Sequence, residues 1–581
     1  MGKTVWDRPA YDFITGEAPA SVNPSLWRQA QLNNLNGLFK VTDRIYQVRG
    51  YDLSNMSVIE GAAGRILVDP LTSVETAQKA LALINRRLGE RPVVAVVFTH
   101  SHIDHFGGVK GVIGAEEIQS GKVRLIAPKD FQVEAVSENV LAGVVMGRRA
   151  TYMYGSALSR TARGHVDSGL GKGPALGSVS LLPPTDIIDH TGQELEIDGV
   201  KFIFLYAPHS EAPTELTFYL PQFQAFCGAE IVSQTMHNLY TLRGAKVRDA
   251  LLWSGYIDQA LELFGDKTDV VFNSHHWPVW GRERIQAYLR KQRDVYRYLH
   301  DQTLRLAAQG LTPDEIAETL ELPESLRSSF PNRGYYGTTK HNVKAIYQYY
   351  FGWFDGNPAH LDPLPPVEEG KRYVEAMGGA DAVLEKGQAA YDRGDYRWTA
   401  TLLDHLVFAD PGNAQAKALL ARAYDQLGYQ AESGPWRDVY LTGARELRHG
   451  IQKHNLLAEA GDILQYVSLD LYFTAMATRV NGPKADGNTL TVNFVFTDVG
   501  KTIVAHLENA VLHHKEAAAD PHADATVRLT RTFWLKLVSK QASLKDLIFS
   551  PDLTVEGSRL KLLSFFRLLD DPDDNFAIVT P

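Results

Sequence analysis

Three histidines and an aspartate fall within six residues of the stretch Thr99-His100-Ser101-His102-Ile103-Asp104-His105-Phe106-Gly107-Gly108. Imidazole nitrogens and carboxylate oxygens are donors that zinc and related divalent cations accept. His100 and His102 are two apart in an extended segment, so both side chains leave on one side and can grip one ion. Asp104 and His105 follow the bend and can face a second ion beside the first. Two ions about 3.5–4 Å apart can share and activate one water molecule. The bland reading is a surface loop that happens to be rich in histidine. Four potential ligands in this order behind an apolar run argue against it.

That apolar run must position them. Residues 93–98, Val-Val-Ala-Val-Val-Phe, read as a buried strand of a covered sheet. The histidines then lie at its C-terminal end, where α/β sheets carry their chemistry. Gly107-Gly108 lets the chain turn sharply afterwards. Upstream, strands are expected over 44–48, 56–60 and 65–68, then a helix from the cap Ser73 to about residue 88. Downstream, strands are expected over 201–206, 215–220, 225–227 and 269–273. Three of these run on into a candidate ligand: Glu211, Glu230 and His275. Taken alone, Glu211 and Glu230 are equally well read as surface carboxylates. The β-β-β-α-β order predicts an αββα sandwich.

Residues 1–40 are polar, with Pro9, Pro19 and Pro24, and read as an arm draped over the body. A helix is expected near 130–150. The Gly-rich stretch 164–177 reads either as an active-site loop or as a plain surface excursion. The pattern turns helical over 285–322, with Pro313 opening a helix after Thr312. The aromatic stretch Gly334 to Asn342 either closes one side of a pocket or packs two helices. Residues 357–366 form the clearest linker.

Residues 380–450 are phrased like tetratricopeptide units, as in Ala389-Ala390-Tyr391-x-x-Gly394-Asp395-Tyr396. Fewer than three repeats cannot bury a solenoid core, so this piece is expected to pack on a second subunit, giving a homodimer. After residue 450 the chain changes again. Leu490, Val492, Phe494 and Phe496 alternate on one strand, further strands are expected over 502–507 and 525–530, and 560–569 reads as an apolar helix. This small α+β unit resembles the sterol carrier protein fold; the alternatives are a lipid tunnel and an ordinary filled core. The expected architecture is therefore α/β, then α, then α+β, with domains at 1–325, 326–452 and 453–581.

The chain has 581 residues, is 44% hydrophobic and carries a net charge of −9. That is room for several domains and a poor balance for nucleic acid. A single cysteine, Cys227, excludes an intramolecular disulfide and a zinc–thiolate site. No apolar run approaches the length of an integral membrane segment. Met1 to Trp6 contains no signal-peptide core. A soluble protein of bacterial type is expected, periplasmic or secreted if a leader was removed and cytoplasmic otherwise.

The metal loop matches the H-x-H-x-D-H signature of the metallo-β-lactamase superfamily. The order of that domain, a helical middle and a sterol-carrier-like end resembles the alkylsulfatase family, which hydrolyses dodecyl sulfate and related esters. The phrases that carry this are Met146-x-Arg148-Arg149-Ala150, Tyr152-Met153-Tyr154-Gly155, His237-Asn238-Leu239-Tyr240-Thr241-Leu242-Arg243-Gly244 and Gly352-Trp353-Phe354-Asp355-Gly356. One departure is Val144, where the family phrase has Asn. The resemblance implies two zinc ions per chain, the first on His100, His102 and Glu211, the second on Asp104, His105 and His275, with Glu230 bridging. It implies a small amphiphilic sulfate ester as substrate and cleavage of the C–O bond. His237 would act as proton donor, Asp104 would be catalytic as well as a ligand, and Asn238, Tyr240, Arg243, Arg148, Arg149 and Tyr152 would face the substrate. Each of these arginines could instead be a salt-bridged structural group. The competing readings are another binuclear-zinc hydrolase, of thioesterase or lactamase type, and a lipid-binding or scaffold protein with a vestigial metal site.

Overall fold

The computed structural model describes residues 4–453, 461–538 and 553–581. The tip of the expected N-terminal arm and parts of the expected C-terminal domain, 454–460 and 539–552, lie outside the described residues. The chain divides into two compact units. Met1–Phe131, Gly147–Lys453 and Asn575–Pro581 form one; Gln132–Met146 and His454–Asp574 form the other.

The first unit is built on two sheets. One runs in chain order through Gly37–Thr42, Ile45–Arg49, Met56–Glu60, Arg65–Val68, Val93–Val97, Arg124–Pro128 and Asp186–Ile188. It starts antiparallel and becomes parallel from Arg65–Val68 onward. The other has the order Val279–Trp280, Val270–Phe272, Ala225–Cys227, Leu216–Leu220, Val200–Tyr206, Glu194–Ile197. Ile45, Ile59, Val68 and Val97 of the first share one buried core with Phe202, Phe218, Cys227 and Phe272 of the second. Leu216–Leu220 is buried at every position, as a strand covered on both faces must be. Fully burying each such side chain stabilises by about 1.5–3 kcal/mol.

Helices cover the outer faces. Val74–Leu88 starts where the Ser73 side chain accepts from Thr76 N, buries Ala77, Ala80, Leu83 and Ile84 at helical spacing, and stops at Gly89 with φ +84°. Ala250–Phe264 and Arg282–Ala307 bring Trp253, Ile257 and Tyr296 onto the second sheet. The αββα sandwich expected from the strand order is the fold of this unit.

Four segments settle a reading that the sequence left open or depart from it. Residues 1–40 are no polar arm: Asn23 caps the helix Pro24–Asn33, which buries Leu26, Trp27 and Ala30 beside Ile14, Val166 and Tyr335. The polar residues between those apolar positions hid the pattern. The Gly-rich stretch is no surface excursion either, because 164–173 is buried. Its His165 Nδ1 meets Asp438 at 2.7 Å, and Lys172 Nζ donates to Ala30 O at 2.7 Å and meets Asp167 at 3.1 Å. The helical segment closes its own core. Pro366–Ala376 and Gly434–His449 flank the tetratricopeptide-like helices Ala380–Asp392, Tyr396–Ala409 and Ala414–Gln430, and Leu402, Leu406, Leu419, Leu420 and Leu447 are buried among them. The expectation that it needs a second subunit to cover it is therefore wrong in its premise.

The fourth concerns the second unit. Its sheet runs Val511–Glu516, Lys501–Glu508, Leu490–Phe496, Ala525–Leu529, Leu553–Gly557. Leu490, Val492, Phe494 and Phe496 are buried on one face, as their alternation predicts. Phe494 meets Phe473, Trp534 and Phe565 at ring separations of 5.0, 5.6 and 6.2 Å. Among the described residues that face is filled by aromatic rings. No described helix is long and apolar enough to cross a membrane.

Candidate active site

The strand Val93–Val97 ends just before His100, which is wholly buried. His102 is extended (φ −77°, ψ 144°) and leads into the short helix Ile103–Phe106, which carries Asp104 and His105. The turn that follows requires glycine, since a Cβ on Gly108 would lie 2.1 Å from Pro70 O. Glu211, Glu230 and His275 arrive on the loops after Val200–Tyr206, Ala225–Cys227 and Val270–Phe272.

These seven side chains form two adjoining groups, His100, His102, Glu211 and Glu230 in one and Asp104, His105 and His275 in the other. Within each group the potential ligand atoms lie within 4.8 Å of one another. His102 Nδ1 is 2.8 Å from Glu211 Oε2, and His105 Nε2 is 3.2 Å from Asp104 Oδ2. Glu230 touches both groups: its Oε2 is 3.2 Å from His100 Nε2 and 3.1 Å from His105 Nε2, and its Oε1 is 3.2 Å from His275 Nε2.

His100 Nε2, His105 Nε2, His275 Nε2 and Glu211 Oε2 are buried without a hydrogen-bond partner. Each such atom costs about 1–3 kcal/mol if left unsatisfied. Divalent cations would satisfy all four, so the donor set fits a metal. Burial pushes the three carboxylates toward their neutral forms, but neighbouring histidines and Arg248 outweigh it. His105 and His275 hold Asp104 at about 2, Arg248 and His102 hold Glu211 low, and four histidines led by His275 hold Glu230 well below the usual range.

The far nitrogens of the histidines are tied back. His105 Nδ1 meets Asp69 Oδ2 at 3.0 Å, which also accepts from Thr99 Oγ1 at 2.8 Å and Ser274 Oγ at 2.7 Å. Thr99 Oγ1 is 2.9 Å from His100 Nδ1, and His275 Nδ1 donates to Leu53 O at 3.2 Å. These contacts turn the three Nε2 atoms toward the cluster. Asp52 fixes Leu53 in turn, accepting from Leu53 N, Thr72 Oγ1 and Ala175 N. Sequence reading missed Asp69 and Asp52, whose partners, such as Ser274 and Ala175, lie far along the chain.

Beside the ligands lies His237, buried, with Nε2 3.0 Å from Glu230 Oε1. Arg248 is a third residue missed. Its Nη2 is 2.5 Å from Glu211 Oε1, and its Nη1 lies 3.0 Å from His237 Nδ1 and 2.7 Å from both Asn238 O and Asn238 Oδ1. Nε2, facing the acceptor Glu230 Oε1, carries a proton, and Nδ1 lies 3.0 Å from both Arg248 Nη1 and Asn238 O. Asn238 is buried and its Nδ2 has no partner. Tyr336 packs edge-on against His237 at 4.8 Å, and its hydroxyl is 3.1 Å from that of Tyr154. Of the alternatives for 334–342, closing one side of the site is the arrangement found.

The other expected substrate residues divide. Arg243 donates to Gly244 O at 3.1 Å in the same loop as His237. Arg149 braces that loop, donating to Leu242 O at 3.0 Å and meeting Tyr240 Oη at 3.1 Å. Arg148 and Tyr152 are turned to another task. Arg148 Nη2 is 2.8 Å from Glu446 Oε2, Tyr152 Oη donates to the same oxygen at 2.6 Å, and Arg148 Nε donates to Phe576 O at 2.9 Å. A buried carboxylate needs such compensation, so these two serve Glu446 and not a substrate. Val144 lies half-buried on the helix Gly143–Met153.

Three family models match the chain: the metallo-beta-lactamase superfamily over residues 49–275, alkyl sulfatase dimerisation over 312–450, and the alkyl sulfatase C-terminal domain over 458–581. A linear primary-alkylsulfatase of Pseudomonas sp. is 50% identical across 100% of this chain and 86% of its own length. An (R)-specific secondary-alkylsulfatase of Pseudomonas sp. is 46% identical across 100% of this chain and 88% of its own. The solved structure of the stereoselective inverting sec-alkylsulfatase Pisa1 from Pseudomonas sp. superposes with a TM-score of 0.94, at 46% identity, over 99% of this chain and 91% of that one. Ligand set, flanking His237 and whole-length likeness agree: the chain belongs to the alkylsulfatase family of the metallo-beta-lactamase superfamily.

Proposed function

We propose that the protein hydrolyses alkyl sulfate esters to the alcohol and inorganic sulfate with two zinc ions per chain. His100, His102 and Glu211 would hold one ion and Asp104, His105 and His275 the other, with Glu230 within reach of both groups. The observation that carries this is the complete ligand set flanked by a histidine whose protonated nitrogen faces it. The chemistry such ions would supply is a water activated near neutral pH.

The chain's own residues do the rest. Arg243 and the unpartnered Asn238 Nδ2 offer donors to the sulfate oxygens, with Tyr240 and Arg149 fixing the loop that carries them. Arg248 flanks His237 at Nδ1, and the Nε2–H of His237 serves the departing oxygen as donor and proton source. Tyr336 walls His237. A relative described as inverting breaks the C–O bond, since a stereocentre on carbon inverts only if carbon is attacked. The same course is proposed here: a new C–O bond forms from water, the old one breaks, and its electron pair leaves on sulfate. The expected division of labour is catalysis in 1–325, dimerisation in 326–452 and recruitment of the aliphatic substrate by 453–581.

Hydrolysis of dodecyl sulfate in 18O-labelled water tests it. Label in the alcohol is the expected result; label in the sulfate overturns C–O cleavage. Elemental analysis of protein purified without chelator should find about two zinc ions per chain, and full activity in metal-free protein overturns the metal role.

A further inference from the structure

Glu215 precedes the strand Leu216–Leu220, is wholly buried, and belongs to neither ligand group. Its Oε2 accepts from Glu211 N at 3.2 Å and Ser210 Oγ at 2.9 Å. Its Oε1 accepts from Glu230 N at 3.0 Å. Its backbone forms an isolated antiparallel bridge with His100, supported by Leu216 N donating to Thr99 O at 2.8 Å. One side chain thus joins the segments carrying Glu211 and Glu230, and one residue joins both to His100.

A buried carboxylate is costly unless its neighbours repay it. Here three donors offset part of that cost, and two are the main-chain N–H groups of ligand residues. Glu230 is delivered to this contact by Ala229, whose φ is +46°, a left-handed backbone that a non-glycine residue holds only when its surroundings insist. The contact with Glu215 is one such surrounding.

We propose that Glu215 is a positioning residue: it sets the spacing of the two glutamate ligands, and through them the affinity of both ions, without touching an ion or substrate. This rests on the ligand assignment above. A carboxylate is needed because its two oxygens accept in two directions; a glutamine keeps the size but turns an N–H₂ group toward one of the N–H donors.

Cobalt(II) binding to the full-length apoprotein, by chelator competition and by visible ligand-field absorption, tests it. Glu215→Gln is expected to lose about 10–100-fold in affinity and to show a changed spectrum, the range found for outer partners of metal ligands. The control is Thr217→Val on the same strand, whose buried hydroxyl has no partner; it should leave both readouts at wild type. Wild-type affinity and spectrum in Glu215→Gln overturn the proposal, as does an equal loss in Thr217→Val, which would reduce the effect to strand stability. If Glu215→Gln fails to fold, Ser210→Ala should show a smaller loss of the same sign, and no loss there overturns the idea. Failure of the wild type itself to bind cobalt would overturn the ligand assignment instead, so the two failures are distinguishable.

Discussion

At the scale of single residues, the site is a balance of charge around two glutamates. Arg248 reaches Glu211 with one nitrogen and His237 with the other. Arg248→Ala should therefore strip Glu211 of its compensating charge and remove a contact at His237 Nδ1 together. The expected loss is about 2–4 kcal/mol of transition-state stabilisation, seen in kcat more than in KM. Arg248→Lys should not rescue it, because one ammonium cannot span the two positions of the fork. Steady-state kinetics on dodecyl sulfate check both, and more than a tenth of wild-type activity in Arg248→Lys counts against the fork. Arg248 could not be picked from the sequence. It lies five residues after Arg243 on one loop, and only the fold shows that it reaches Glu211 and His237. The H-x-H-x-D-H ligands, by contrast, were legible, since their spacing alone ties them to one strand end. Glu211 and Glu230 were half legible: their place after strands was visible, but carboxylates are common there on any surface.

At the scale of elements, the loop 237–244 is held by a helix far along the chain. His341, on Thr339–Phe351, donates from Nε2 to Tyr240 O and accepts at Nδ1 from Trp436 Nε1 at 3.1 Å. Both nitrogens are committed with the ring neutral, and burial pushes its pKa down to about 4. The unfolded chain takes up this proton near pH 6.5 and the folded one only near 4. Between those values the unfolded state binds more protons, so stability rises with pH and is lost on acidification. The slope is about 1.4 kcal/mol per pH unit, or about 2 kcal/mol between pH 6.5 and 5. His341→Gln, which can keep one donor and one acceptor, should flatten the dependence of denaturant midpoint on pH across that window by one proton. An unchanged slope would refute the assignment. None of this was legible beforehand, because the partners lie about a hundred residues away along the chain. The helix Val74–Leu88 shows the opposite case. Its cap, its apolar spacing and its terminating glycine are all local, and its start at Ser73 and end at 88 were read correctly from the sequence.

At the scale of the whole molecule, assembly is the remaining question, and the dimerisation model over 312–450 points to a homodimer. The helical core in that span is closed within one chain, so the partner must meet a different surface. The end of Thr339–Phe351 supplies one. Tyr349, Tyr350, Phe351 and Trp353 are all exposed, Trp353 by 69%. The first three rings run on from one to the next, with centroids 5.1 Å apart for Tyr349 and Tyr350 and 6.3 Å for Tyr350 and Phe351, and Trp353 pairs with Phe354 at 5.6 Å. Leu361 and Leu364 follow, also exposed. Exposed apolar residues gathered in one stretch mark a contact site, and aromatic rings carry most of the energy in such contacts. The double variant Phe351→Ser, Trp353→Ser is therefore expected to sediment as a monomer at micromolar concentration where the wild type is a dimer. Its far-UV circular dichroism should be unchanged, because neither ring belongs to a buried core. Substituting the exposed Leu251 and Leu252, which lie outside 312–450, should leave the dimer intact. A dimer that survives the aromatic pair would place the contact elsewhere in that span, and a monomeric wild type would remove the assembly altogether.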